Sequence, residues 1–393
     1  MTPGARIAAA AEILDTIAAG RAAEPALAAW ARGHRFAGSG DRAAIRDHVF
    51  DALRRRRSAA AMGGGDTGRA LMIGLLRLGG RDPAEVFTGE GHAPARLSAA
   101  ERAAGRAPRP GAEAGDVPDW LYPHLEAALG AECDPILAAL RTRAPVHLRV
   151  NLRKARRDAV AAELAARGIA TLAHPLSPTA LEVTEGARRV RHDPAYRDGL
   201  VELQDAASQA VADFVPVRDG DRFLDYCAGG GGKTLAVAAR AEVAAFAHDA
   251  APRRMADLPA RAARAGVAVT TLATAALAPA GPFDAVLCDA PCSGSGSWRR
   301  DPGGKWALTP DRLAALTQTQ DAILADAAPH VAPGGALVYA TCSLLAEENE
   351  AQIAAFLFRH DDWRREAAVR LTPLDGGDGF FVAVLRHVAN CTC

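Results

Sequence analysis

The stretch "FLDYCAGGGGKT" (223–234) predicts a buried strand, a glycine-rich turn and the start of a helix. Such a turn lets backbone N–H groups approach a ligand closely. The P-loop pattern GxxxxGK[ST] would need glycine at Cys227, and the dinucleotide pattern GxGxxG would need glycine at Thr234. S-adenosylmethionine remains as the third ligand of such turns, but a glycine-rich turn alone is weak support.

Apolar segments and helical segments alternate on both sides of this turn. The candidate strands are "RFLDYC" (222–227), "VAAFAHD" (243–249), "VAVTTL" (267–272), "FDAVLCD" (283–289), "ALVYATC" (336–342) and "GFFVAVLRH" (379–387). This alternation predicts an α/β domain over 200–393, with a Rossmann-like parallel sheet covered on both faces. Ligands of such sheets bind beyond the carboxyl ends of the strands, where Asp249 suits the hydroxyls of a ribose.

The first part of the chain has a different pattern. Residues 1–130 show apolar stripes at helical spacing, with Ile45, Val49 and Leu53 as one example, and predict an all-helical domain. Residues 145–199 predict a small α+β unit, because "VHLRVNL" (146–152) alternates apolar and polar positions. The basic residues of this unit form either an ordinary solvated face or an edge that contacts RNA. These residues are Arg149, Arg153, Lys154, Arg156 and Arg157.

Composition restricts the class of protein. The chain has 393 residues, a formal net charge of zero and seven cysteines. An odd number of scattered cysteines fits a reduced cytosol better than a disulfide framework. No apolar run reaches the roughly 20 residues that span a bilayer, and the acidic N-terminal segment does not resemble a signal peptide. We therefore expect a cytoplasmic protein with no membrane partner and no metal site, the terminal "CTC" (391–393) included.

Two cysteines stand at the ends of predicted strands, in "VLCDAPCSGSGSW" (286–298) and "LVYATCSLLAEENE" (337–350). Carbon 5 of a pyrimidine accepts a methyl group only after a nucleophile has added to carbon 6. A base must then remove the proton from carbon 5 so that the nucleophile can leave. The segments "DAPC" (289–292) and "TCS" (341–343) could together supply a reactive sulfur, a second acid–base group and an acid that polarises the ring.

These stretches resemble the RsmB/Sun-type RNA (cytosine-5) methyltransferases. The resemblance rests on "LQDAASQ" (203–209), "DYCAGGGGKT" (225–234), "DAPCSGSGSWRRDPGGKW" (289–306), "YATCSLLAEENE" (339–350) and "DGFF" (378–381), in the order of the family. The segment "LRVNLRK" (148–154) is similar to the RNA-binding unit of the family, and "GSGDRAAIRDHVFDALRRRR" (38–57) is similar to its NusB-like helical domain. The resemblance implies that these two units precede, along the chain, a domain with the sheet of class I methyltransferases.

The resemblance also implies a role for individual residues. Cys342 would attack carbon 6, Cys292 would assist proton removal and product release, and Asp289 would lie between the cofactor and the cytosine. S-adenosylmethionine would be held by Cys227, Ala228, Gly229, Gly230, Gly231, Gly232, Lys233, Asp249, Arg254 and Asp289. Cys227 itself is expected to shape the loop, and Cys133 and Cys288 are expected to be packed small hydrophobic residues.

The chain departs from the family at two places. The family has CAAPGGK where this chain has "CAGGGGK" (227–233), so the turn should be more flexible here. The family has an acid near the adenine where this chain has "TTLATAAL" (270–277). Downstream of Cys292, Arg299 and Arg300 are expected to contact phosphates, whereas Lys305 and Trp306 either contact RNA or close a surface loop.

The interpretation that results is a monomeric cytosolic enzyme that uses S-adenosylmethionine to make 5-methylcytosine in RNA. The resemblance favours small-subunit (16S) ribosomal RNA as the substrate. Two alternatives remain open at this point: the same chemistry on transfer RNA, or a non-catalytic RNA-binding assembly factor.

Overall fold

The structure is a computed structural model that describes residues 1–388. Residues 1–143 and 298–308 form one compact unit, and residues 144–297 and 309–388 form a second. The terminal "CTC" segment lies outside the described residues. Within the described part, no helix is both long and apolar enough to cross a membrane.

The first unit is helical. Its helices are Pro3–Ala18, Ala23–Gly33, Ser39–Arg54, Arg56–Gly63, Gly68–Leu78, Ala99–Ala103, Tyr122–Leu129, Cys133–Leu140 and Pro302–Ala307. The predicted stripe of Ile45, Val49 and Leu53 is buried in the core of this unit, at most 3% exposed. Amphipathic helices are stable here because each buries its apolar side against the others.

The segment 298–308 packs onto the C-terminal end of helix Ser39–Arg54, within the same unit. The Trp306 indole N–H donates to the carbonyl of Leu53 at 2.7 Å, and Lys305 Nζ donates to the carbonyl of Arg54 at 3.2 Å. The last carbonyls of a helix have no partner inside the helix, so these two donors act as its cap. Of the two roles considered for Lys305 and Trp306, the structure therefore shows a structural contact.

The second unit begins with a four-stranded antiparallel sheet in the order β2-β3-β1-β4. Its strands are β1 (Val146–Val150), β2 (Thr171–Ala173), β3 (Ala180–Val183) and β4 (Val201–Leu203). The helices Arg157–Ala166 and Pro194–Arg197 accompany it, and one side of the sheet buries Leu148, Val150 and Leu181. This is the small α+β unit that the sequence predicts.

A seven-stranded sheet follows in the order β10-β11-β9-β8-β5-β6-β7. Its strands are β5 (Arg222–Asp225), β6 (Ala244–Ala247), β7 (Val269–Thr271), β8 (Phe283–Asp289), β9 (Val331–Thr341), β10 (Trp363–Leu371) and β11 (Phe380–His387). The helices of this part are Ala206–Asp213, Gly232–Arg240, Leu258–Ala265, Leu277–Ala280, Pro310–Ala327 and Glu350–Arg359.

The five neighbouring strands β5 to β9 pair in parallel, whereas β11 runs antiparallel to both of its neighbours, β9 and the edge strand β10. Neighbouring residues of β5 pack into different cores, Leu224 on one face and Phe223 on the other, so both faces are covered. The predicted Rossmann-like α/β fold is thereby confirmed. Strand order reverses between β5 and β8, and ligands of such sheets bind in the crevice formed at that point.

The sequence did not predict β10 as a strand. Its residues 364–366 are Arg, Arg and Glu, and it pairs only with β11, as an edge strand does. Charged side chains on an edge strand prevent pairing with other chains, and they also remove the apolar pattern by which a strand is recognised.

Candidate active site

Cys292 and Cys342 meet because they follow neighbouring parallel strands. Asp289, the last residue of β8, is in register with Ala340 of β9, and the amide of Ala290 donates to the carbonyl of Ala340 at 2.8 Å. The segments that follow β8 and β9 then leave the sheet together, at the carboxyl ends of these strands. Their side chains converge there, with the two Sγ atoms 3.4 Å apart.

The two thiols have opposite pKa shifts. A hydrogen bond from Cys292 lowers the pKa of Cys342, with further help from the Lys233 charge and Ser297, although burial opposes the change. The same hydrogen bond raises the pKa of Cys292, and burial adds to that increase. The arrangement therefore favours a thiolate on Cys342 and a thiol on Cys292. A thiolate is the nucleophilic form of cysteine.

A buried carboxylate fixes both cysteine loops. Glu348 has no exposed surface, and its Oε1 accepts the amide of Ser293 at 2.7 Å and Nε2 of Gln320 at 3.0 Å. Its Oε2 accepts the hydroxyls of Ser293 and Ser343. Since Ser293 follows Cys292 and Ser343 follows Cys342, one carboxylate sets the separation of the two sulfurs. A buried charge is tolerated where hydrogen bonds satisfy it in this way.

Gly296 and Gly379 connect the loop after Cys292 to the end of β9 and to the "DGFF" segment. The amide of Gly296 donates to the carbonyl of Cys342 at 3.0 Å, and the amide of Gly379 donates to the carbonyl of Gly296 at 2.9 Å. A Cβ at Gly296 would lie 2.1 Å from the oxygen of Gly379. The loop after Cys292 can therefore approach the "DGFF" segment only because this position has no side chain.

Buried Lys233 and half-buried Asp289 form an ion pair beside the sulfurs. Lys233 Nζ lies 2.7 Å from Asp289 Oδ2 and 4.9 Å from the centre of the Phe380 ring. Burial acts to lower the pKa of Lys233, but the charge of Asp289 and its hydrogen bond outweigh burial and raise it. Lys233 is thus a fixed positive charge, and it is one of the groups that favour the thiolate of Cys342.

The glycine-rich turn has backbone conformations that suit glycine. Gly229 and Gly231 have φ values of 50° and 76°, in the left-handed region. A Cβ at Gly231 would also lie 2.2 Å from Leu258 Cδ1. The turn leads into helix Gly232–Arg240, whose first amides can receive a carboxylate. The residues predicted to cradle a cofactor, 227 to 233, therefore form a close backbone turn at the strand-order reversal.

Asp225, which the sequence interpretation overlooked, lies under this turn. It is 1% exposed, and its Oδ2 accepts the hydroxyl of Thr234 at 2.6 Å. Its other oxygen, Oδ1, is buried and has no hydrogen-bond partner among the described residues. Burial raises the pKa of Asp225 to about 7. The amino-acid end of S-adenosylmethionine is expected at this turn, and its contact with the Oδ1 atom of Asp225 stays a prediction.

Asp249 and Arg254 lie against the other side of the turn. Asp249 is 4% exposed; its Oδ2 accepts the amide of Gly229 at 3.0 Å and contacts Arg254 Nη1 at 3.0 Å, while Oδ1 accepts the amide of Ala251 at 2.9 Å. In this structure Asp249 thus supports the turn itself. A carboxylate can accept further hydrogen bonds, so the predicted contact with a ribose stays a prediction.

Three further cysteines of the described residues, and Arg149, have structural surroundings. Cys288 is fully buried within β8, and burial raises the pKa of Cys227, Cys288 and Cys133. Arg149 is 3% exposed and donates to Gln204, so it is buried in a contact within the protein. Lys154 is exposed, and its Nζ donates to the carbonyls of Asp198 and Arg264. An RNA-contacting edge that includes Lys154 stays a prediction.

Arg299 also differs from its expected role as a phosphate contact. It is 4% exposed, and its carbonyl accepts Nε of Arg54 at 2.8 Å within the helical unit. Arg300 is exposed. The most important residue that sequence reasoning did not single out is Glu348. The sequence shows a group of acids in "EENE" (347–350), shortly after Cys342, but nothing local distinguishes Glu348 from the acids beside it.

The fold and this site define a class, the Rossmann-like methyltransferases. Residues 213–386 match the family model described as 16S rRNA methyltransferase RsmB/F, and residues 117–190 match the ferredoxin-like domain of RsmF/B-like methyltransferases. Together the two matches cover more than half of the chain. The chain belongs to the RsmB/F methyltransferase family.

Curated relatives agree with this assignment. A ribosomal RNA small subunit methyltransferase B from Erwinia tasmaniensis is 37% identical over 284 residues, which are 68% of this chain and 66% of the relative. A protein of the same name from Klebsiella pneumoniae subsp. pneumoniae is 37% identical over 289 residues, covering 70% of this chain and 66% of that one. The matched region is thus slightly under two thirds of these relatives' own length.

Solved structures share the fold. The crystal structure of PH0851 has a TM-score of 0.75 at 23% identity and covers 98% of this chain and 99% of its own. A methyltransferase homolog from Pyrococcus horikoshii has a TM-score of 0.62 at 24% identity, covering 70% of this chain and 96% of its own.

Proposed function

We propose that this chain is an S-adenosylmethionine-dependent RNA (cytosine-5) methyltransferase and that its substrate is 16S ribosomal RNA. The observation that carries the proposal is the 3.4 Å approach of the Cys292 and Cys342 sulfurs beyond the ends of β8 and β9. Membership of the RsmB/F family and the name of the curated relatives support the ribosomal substrate. A monomer in the cytosol remains part of the proposal.

Catalysis begins when the target cytosine leaves its stack and enters the crevice beside Cys342. The thiolate of Cys342 donates an electron pair to carbon 6, and the electrons of the carbon 5–carbon 6 double bond move into the ring. Asp289, about one-third exposed and held through Oδ2 by Lys233, hydrogen-bonds the base in this proposal. The bound cofactor supplies the methyl group that carbon 5 then accepts.

Cys292 acts in the second half of the reaction. Once the Cys342 sulfur is bonded to carbon it carries no negative charge, so the contribution of Cys342 to the raised pKa of Cys292 is removed, while burial and Glu348 still act to raise it. The Cys292 thiol then gives its proton to solvent water, and the resulting thiolate takes the proton from carbon 5. The electrons of that C–H bond restore the carbon 5–carbon 6 double bond, and Cys342 leaves as a thiolate.

The test of the catalytic assignment is a covalent adduct. A Cys292→Ala variant incubated with RNA and cofactor should accumulate protein–RNA adducts that survive denaturation, because Cys342 still attacks but release is slow. Cys342→Ala should form none. Cys133→Ala, which removes a buried thiol of the helical unit, is the matched control and should behave like wild type. Adduct levels equal in all variants would refute the assignment.

The substrate is tested separately. Total bacterial RNA is incubated with methyl-tritiated cofactor, and the labelled cytosine is mapped by bisulfite sequencing. Label in small-subunit ribosomal RNA is the expected result. Label confined to transfer RNA would overturn the substrate but retain the chemistry, and the absence of label from every RNA would favour a non-catalytic assembly factor.

A further inference from the structure

A cluster of possible metal ligands lies on the second face of the small sheet. His147 of β1 is directly opposite Glu182 of β3, so both side chains point to the same face. Glu182 is also in register with Leu172 of β2, and His174 lies two residues further along the chain. One ligand atom from each of His147, His174 and Glu182 lies within 4.8 Å of the other two.

His147 has an unpartnered nitrogen that belongs to this cluster. The side chain is 2% exposed, and its Nδ1 lies 3.1 Å from Asp205 Oδ2. The amide of Ala206 also lies 3.3 Å from this Nδ1. In the tautomer whose Nδ1 donates its proton to Asp205, at the shorter distance, Nε2 keeps a lone pair. That Nε2 is buried and has no hydrogen-bond partner among the described residues. A buried polar atom without a partner costs free energy, so it calls for a ligand.

His174 supplies a second imidazole. It is 6% exposed, and the centre of its ring lies 4.9 Å from that of His147. Its Nδ1 lone pair accepts the amide of Leu176 at 3.3 Å, a long hydrogen bond that a metal ion bound at Nδ1 would replace.

We propose that His147, His174 and Glu182 bind a divalent transition-metal ion of the zinc type. Two imidazoles and one carboxylate suit zinc and its neighbours in the first transition series, whereas magnesium and calcium prefer oxygen ligands alone. Three protein ligands leave one tetrahedral position for water. Asp205 takes the place of the carboxylate that commonly orients a metal-bound histidine. This site is separate from the proposed catalytic cysteines.

The metal would tighten the connection between the small sheet and the site. Asp205 also accepts the amide of Ala207 at 2.9 Å and the amide of Asp378 at 2.9 Å. Asp378 precedes Gly379, which contacts Gly296 in the loop after Cys292. An ion that fixes His147 therefore fixes Asp205, and through it the position of the 376–379 segment. The expected effect is on stability.

The experiment titrates tag-free, chelator-treated full-length protein with Co²⁺, a spectroscopic substitute for zinc, in the presence of a competing chelator. One equivalent should bind and give visible d–d bands. Thiolate ligation would add an intense near-ultraviolet band, so cobalt on the cysteines is distinguished. The bound ion should raise the melting temperature. Glu182→Gln should weaken binding by about tenfold or more, and Asp205→Asn by roughly 10- to 100-fold.

Matched controls keep the test decisive. Glu185→Gln and His192→Gln remove an exposed acid and an exposed histidine of the same small unit and should bind like wild type. Glu182 is only half-buried, so Glu182→Gln should fold, which far-ultraviolet circular dichroism checks. Equal affinity in Glu182→Gln, His147→Gln and the two controls would overturn the proposal, as would cobalt that shows only thiolate ligation.

Discussion

The Cys292 Sγ lies 3.4 Å from the Cys342 Sγ, and the pKa directions place the shared proton on Cys292. The two residues are chemically identical but have different surroundings. Lys233 and Ser297 favour the charged form of Cys342, whereas the charge of Glu348 disfavours it on Cys292. The asymmetry supports the proposal that Cys342 is the nucleophile.

Removing Cys292 should make Cys342 less acidic. In Cys292→Ala the strongest of the interactions that lower the pKa of Cys342 is absent, so its pKa should rise. Alkylation of Cys342 by iodoacetamide, followed by mass spectrometry across pH, should therefore shift to higher pH. Cys292→Ser retains a hydroxyl donor and should shift less. An unchanged profile in Cys292→Ala would show that Cys292 does not stabilise the thiolate.

Glu348→Gln should disturb both cysteine loops at once. In glutamine an NH2 group, which is a donor, stands in place of one of the two acceptor oxygens. Some of the donors from Ser293, Gln320 and Ser343 therefore lose their acceptor. We expect a loss of about 1–3 kcal/mol in the free energy of unfolding, measured in urea, and a reduced methylation rate. Glu350→Gln changes an exposed acid nearby and should cost under about 1 kcal/mol. Equal effects of the two changes would contradict the bridging role of Glu348.

Gly296→Ala should separate the loop after Cys292 from the "DGFF" segment. The new Cβ would lie 2.1 Å from the Gly379 oxygen, 2.5 Å from its carbonyl carbon and 2.6 Å from its Cα, so it would meet backbone that has to move. We expect destabilisation of about 1–3 kcal/mol together with loss of the adduct in the Cys292→Ala background. Gly40→Ala meets no atom within 4 Å inside a helix and should stabilise by up to about 1 kcal/mol. A fully active Gly296→Ala protein would show that this approach is not needed.

Asp225→Asn should change how stability depends on pH. The pKa of Asp225 is 3.8 ordinarily and about 7 in the folded protein. Between these values the folded state binds more protons than the unfolded state, so wild-type stability falls as pH rises from about 4 to about 7. The variant lacks this contribution. It should gain on the order of 2–4 kcal/mol relative to wild type across that window.

The measurement is urea unfolding at a series of pH values, with Asp257→Asn as the control, because Asp257 is exposed. The Asp257 variant should follow the wild-type profile. A constant difference between Asp225→Asn and wild type at all pH values would mean that Asp225 is not protonated near neutrality. Cofactor should bind Asp225→Asn more weakly, since the unpartnered oxygen is replaced by an amide nitrogen.

Much of this protein follows from local pattern. Apolar strands that alternate with helices determine a parallel sheet, and the polarity of that sheet brings Cys292 and Cys342 to one edge although they are 50 residues apart. The turn at 227–233 also follows from sequence, because few residues other than glycine adopt the φ values found there. The physical reason is that strand direction and backbone conformation are properties of short segments.

Only the tertiary structure decided which polar side chains meet. Glu348 lies between Ser293 and Ser343, Arg149 is buried against Gln204, and His147 faces Glu182 across two strands. An acid or a base in the sequence looks the same whether it is solvated or buried. Its role depends on which loops and strands fold against it, since a buried charge persists only where distant segments supply its hydrogen bonds.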